Sequence, residues 1–130
     1  MDDDIPITVD RDGRAEALHG LRSPGEVAAA IMALKGERDV TLTVRPRDFD
    51  DYLLVTVDGE LAYIGVFDPS DWASEFQRHD FLEGPKVEMM IGGQTTDIGP
   101  ANLLDVPMAA RVIEAWLAGS EPSEGRWVRT

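Results

Sequence analysis

The chain reads as an α+β domain: a mostly antiparallel sheet with two main helices packed on one face. Three observations predict this. Asp58-Gly59 separates two runs of strand composition, residues 52–57 and 60–67, which is a hairpin signature. Two other stretches, around residues 23–36 and 105–119, carry apolar residues at helical spacing with stop and start signals at their ends. The remaining apolar runs are short and joined by turns, without the strand–helix alternation that builds a parallel sheet. At 130 residues the chain makes one domain, 1–130, able to bury about two-thirds of its unfolded surface.

Residues 5–9, Ile-Pro-Ile-Thr-Val, have strand composition, and Pro6 confines that strand to an edge or its first position. Asp10-Arg11-Asp12-Gly13 is turn chemistry. As a calcium loop it fails, because Gly13 at the sixth position would make Thr8 the first ligand and His19 the twelfth. Ser23-Pro24-Gly25-Glu26 combines a capping box with Pro at the first helical position. That helix should run to about Lys35, with Val27, Ala30, Ile31 and Leu34 inward, and stop at Gly36. Residues 40–45 alternate strictly, so one face of their strand is buried. The connection 46–51 contains Asp48, Asp50 and Asp51.

In the hairpin, a two-residue Asp58-Gly59 turn would pair Val57 with Glu60. Leu53, Val55, Val57, Ala62, Ile64 and Val66 then share one face, a natural seat for helices. Tyr52, Leu54, Leu61, Tyr63 and Phe67 share the other, which is either a second buried layer or a surface kept for a partner. Residues 68–84 read as irregular, with a turn of helix near 71–78. They hold Trp72 and Phe76 among Asp68, Asp71 and Glu75. Residues 86–91 and 94–98 make a second hairpin about Gly92-Gly93, and 99–105 is loop. Asp105 then caps a helix with Pro107 in its first turn and Ala109, Val112, Ile113, Trp116 and Leu117 on one stripe. Gly119 ends it, and Arg126-Trp127-Val128 reads as a terminal strand with Trp127 packed at the edge.

Charge bounds the function. Asp and Glu total 25 against 12 Lys and Arg, a formal net charge of −13. No basic face for nucleic acid is visible, and anionic membranes would repel such a surface, while a basic protein would be drawn to it. Solubility alone is the other reading of the same acidity. Cysteine is absent, so no thiolate metal site or disulfide exists. The two histidines, His19 and His79, lack metal-like partners, and neither a nucleophile elbow nor a phosphate loop occurs. The expectation is a protein without catalysis, metal or cofactor. The acidic start, Met-Asp-Asp-Asp, is unlike a secretion signal, and no apolar run reaches membrane-spanning length, which predicts a cytoplasmic protein.

The C-terminal block, with helix entry through Val106-Pro107, Ala109 or Ala110 inward, Trp116 on the stripe, Gly119, Glu121-Pro122 and a terminal Trp127, resembles the Imm1 family of bacterial immunity proteins. The resemblance covers the order of elements along most of the chain and residues in about its last quarter. It implies an α+β fold, a structural role for Val106, Pro107, Trp116, Gly119, Pro122 and Trp127, and no catalytic residues. It also implies a partner class: polymorphic toxins, often nucleic-acid deaminases, neutralised by binding.

An acidic domain can occupy the basic groove of such a toxin, anchored by aromatic residues ringed with charge. The candidates are Tyr52, Tyr63, Trp72 and Phe76, with Asp48, Asp50, Asp51, Asp68 and Asp71 around them. Rival readings are a non-catalytic adaptor or chaperone, a SUKH-like immunity protein, and a small hydrolase using paired carboxylates.

Overall fold

Alternation of apolar residues with threonine from Val40 to Val44, and of inward and outward residues through the next two strands, fixes which side of a large sheet faces inward. The computed structural model describes residues 4–70 and 72–129. In chain order these form β1 (Ile7–Arg11), β2 (Arg14–Leu18), α1 (Pro24–Met32), β3 (Val40–Val44), β4 (Tyr52–Asp58), β5 (Leu61–Phe67) and β6 (Ala73–Arg78). Then come β7 (Val87–Ile91), β8 (Gln94–Ile98), a 3-10 turn at Pro100–Asn102, β9 (Leu104–Asp105), α2 (Val106–Leu117) and β10 (Gly125–Arg129). The main sheet runs β10-β6-β5-β4-β3-β1-β2, antiparallel throughout, with the short β9 also paired to β5. β7 and β8 form a separate two-stranded sheet.

One core joins the helices to one face of the sheet. Ile7, Val9, Leu42, Leu53, Val55 and Ile64 pack there with Val27 and Ile31 of α1 and Ala109, Val112 and Ile113 of α2. The predicted α2 stripe is therefore the buried one, with Trp116 and Leu117 half-buried at its end and Arg111 and Glu114 outside. Both helix starts are capped as their sequences indicate. Ser23 Oγ accepts from the Glu26 amide at 3.2 Å, and the Asp105 carboxylate accepts from the Met108 amide at 2.8 Å. At the end of α2, the Gly119 and Ser120 amides return to the carbonyls of Trp116 and Ala115, a Schellman closure. Trp127 packs on the core and meets Phe76 edge-on, with ring centres 5.2 Å apart. Among the described residues no helix is long and apolar enough to cross a membrane.

Several expectations need correction. α1 ends at Met32, three residues before Lys35, because the last turn tightens into i→i+3 bonds from Leu34 to Ile31 and Lys35 to Met32. Ala28 is the buried alanine of that helix, and Ala30 is half-buried. The β4–β5 turn is Gly59-Glu60, with Val57 opposite Ala62 and Asp58 opposite Leu61. Gly59 has φ +70°, so the residue free to take a left-handed backbone opens the turn. The register thus differs by two residues from the expected one. A two-residue shift preserves the side-chain alternation, so both predicted faces keep their members. Residues 14–18, unassigned in the sequence, form the edge strand β2. Residues 73–78, expected as a turn of helix, form β6 between β5 and β10.

Candidate binding surface

The face of the sheet away from the helices is only partly covered, by the β7–β8 hairpin. The cover is held by two carboxylates. Asp58 is almost fully buried and accepts from the Met90 amide at 3.0 Å and from Arg38 Nε at 2.5 Å. Asp39 accepts from the Gly93 amide at 2.7 Å. Burial alone would raise the pKa of Asp58. The Met90 amide and the Arg38 guanidinium outweigh it and hold the group below the usual carboxylate range. Met89 and Ile98 are the side chains the hairpin buries.

The rest of this face is legible from the register. One row across it is Ala15, Asp10, Thr41, Thr56 and Tyr63; the next is Ala17, Thr8, Thr43, Leu54, Gly65 and Glu75. A third row holds Tyr52, Phe67 and Ala73. Tyr52 and Phe67 stack with ring centres 5.3 Å apart and an interplanar angle of 15°. The Arg45 guanidinium lies 4.0 Å above the Tyr52 ring. Tyr63 donates its hydroxyl to Glu75. Burial first, and then the Glu75 carboxylate, push the Tyr63 phenol well above its ordinary value, so it stays a donor.

Above the small-residue middle row lies a trough of about 580 Å³ between the hairpin tip and β1–β3. Leu54, Ile91, Thr41 and Thr43 line it, with Asp10, Asp12 and Asp39 at its edge. Asp10 and Asp12 are exposed and form no ion pair among the described residues.

Of the proposed contact residues, Tyr52 and Tyr63 share this open face. Asp50 and Asp51 immediately precede Tyr52, the former exposed and the latter half-buried. Asp68 follows Phe67 and is occupied by its own turn. It accepts from the Ser70 hydroxyl at 2.6 Å and from the Ser70 and Trp72 amides at 2.9 and 3.0 Å, with Arg129 Nη1 3.5 Å away. The Ser70 hydroxyl, foremost, and the Trp72 amide keep it ionised below the usual range. Trp72 is half exposed, with the Arg129 guanidinium 5.2 Å from its ring. Asp71 lies outside the described residues.

Two of the proposed contacts are placed elsewhere. Phe76 is 1 % exposed, a core residue against Trp127, and is corrected from contact to core. Its strand alternates, so the residue four after Trp72 is turned into the core rather than along a helix face. Asp48 lines a different cleft, of about 570 Å³, with Ile5, Pro24, Phe49 and Leu117. Phe49 there packs edge-on against Trp116, at 4.9 Å. The sequence presents Asp10 and Asp12 only as turn residues. Parity finds the first: Asp10 pairs with Thr41, and the Thr41-Leu42-Thr43 alternation assigns it to the open face, whereas Asp12 reaches the trough from the β1–β2 turn.

Val106 and Pro122 are buried, while Pro107, Trp116 and Trp127 are half-buried. Among the described residues no three His, Asp or Glu side chains gather as metal ligands. No model of a known protein family and no curated protein matches the chain.

Proposed function

We propose that the protein is an immunity protein that binds a basic bacterial toxin and occludes its nucleic-acid groove. The reading rests on the open sheet face, where a stacked aromatic row adjoins a trough edged by acids that form no ion pair among the described residues. Nucleic-acid toxins need a cationic groove with room for stacked bases. Exposed carboxylates beside half-buried aromatic rings complement that groove in both respects. The chain's charge of −13 adds long-range attraction, which raises the association rate and makes it fall with salt. Resemblance of the C-terminal block to the Imm1 family supports the same partner class.

The test is growth. The chain is co-expressed with the toxin whose gene adjoins its own, beside an empty-vector control. The expected result is rescue that survives in purified protein as a one-to-one complex lacking toxin activity. A complex in which the toxin stays active would instead support an adaptor, and no complex at all would end the reading.

A further inference from the structure

A separate cleft of about 580 Å³ opens between the loop joining β6 to β7 and the turn at Pro100–Asn102. Phe81, Leu82, Pro85, Val87, Pro100 and Leu103 wall it, and Arg78 and Asp80 supply its charge. Phe81 and Val87 are more than a third exposed, and Leu82 is nine-tenths exposed. One exposed apolar side chain means little, but several around a concave opening mark a place where something binds.

Arg78 sets what that is. Arg11, Arg22, Arg38, Arg111 and Arg129 each meet a carboxylate of their own chain. Arg78 meets none among the described residues, in a chain with 25 acids. Its Nη1 reaches the Leu103 carbonyl at 3.4 Å, and its Nε is shut off from solvent with no acceptor. A half-buried guanidinium with donors to spare is the group a carboxylate satisfies through two parallel N–H bonds. Salt screens charges beyond about 8 Å, so the acids that count are the near ones. Glu83 stands in the same loop. Asp80 lies in the cleft itself, forms no ion pair with Arg78, and opposes an incoming anion.

We propose that this cleft binds a small monocarboxylate with an apolar body. The carboxylate sits on Arg78, and the hydrocarbon lies against Phe81, Val87 and Leu103. The volume is that of a small-molecule site, and walls from two short stretches of chain suit a short ligand better than a folded partner. This site is independent of the toxin reading, since no residue of the open face takes part.

Calorimetric titration with octanoate and 4-phenylbutyrate, against the neutral octanamide, tests it. Both acids should bind saturably, and octanamide at least about tenfold more weakly. Arg78→Gln should weaken octanoate by about tenfold or more, and Asp80→Asn should tighten it. Because Arg78 also holds Leu103, Val87→Asp at an exposed wall position gives a second arm, and it should likewise weaken octanoate by about tenfold or more. Equal affinity for acid and amide, or octanoate binding unchanged in both Arg78→Gln and Val87→Asp, would overturn the proposal. So would capture of a peptide ending in a free C-terminal leucine by a cleft that ignores both small acids.

Discussion

Asp58 shows how one side chain can organise a surface. With Thr56 it is one of the two buried polar residues among those described, and its carboxylate carries both the Met90 amide and Arg38. Asp58→Ala leaves that amide without an acceptor and should cost about 1–3 kcal/mol, read as a lower urea midpoint. Amide exchange at Met90 should quicken before that of β4. The pH dependence has a fixed sign. The folded pKa lies below the unfolded one, so the stabilisation is present above the unfolded value and lost as pH falls through the folded one. Asp58→Asn should therefore lose less stability than the wild type between about pH 5 and 2, in a pair of chemical melts. Gly125 is a second sensitive position. A Cβ there would stand 2.0 Å from the Gln77 carbonyl oxygen on the paired strand β6. Gly125→Ala should cost about 1–3 kcal/mol as the strands are forced apart, visible as a lower melting temperature.

Elements differ in how plainly their sequences announce them, and the reason is what each one packs against. α2 has its cap, stripe and stop in its own residues, so it is legible without the fold. The β4–β5 hairpin announces its two faces but not its turn, because Gly59 can open a turn as well as close one. β2, Arg-Ala-Glu-Ala-Leu, has neither β-branched nor aromatic residues, and it is a strand only because the β1 edge supplies a partner. Trp72, just before β6, and Phe76 within it have the i, i+4 spacing of a helix, and pairing of β6 on both sides overrides it. The candidate surface inherits these limits. Its aromatic members follow from hairpin parity, whereas Asp10 and Asp12 depend on a register no local pattern gives. The β7–β8 hairpin carries its own flaw: Glu88 and Asp97 lie directly opposite each other on its exposed side. Glu88→Lys should stabilise that hairpin by about 0.2–1 kcal/mol, measured as slower amide exchange within it.

At the scale of the whole molecule, a helix-covered face makes the core and the opposite face is open where the β7–β8 hairpin does not cover it. The surplus of acid is spread over the chain, but counter-charges are not. Arg45 attends the aromatic end of the open surface, and Asp10 and Asp12 have no cation of their own among the described residues. Long-range attraction should set how fast a basic partner arrives, and the aromatic row should set how long it stays. The most direct measurement is the dissociation constant of the complex with the basic toxin, compared between wild type and the triple variant Asp10→Lys, Asp12→Lys, Tyr52→Ala. All three substituted positions lie outside the core, so the variant should keep its fold by circular dichroism. The account predicts affinity at least about a hundredfold weaker, with a smaller salt dependence of the association rate. A variant that binds and neutralises the toxin as the wild type does would contradict it.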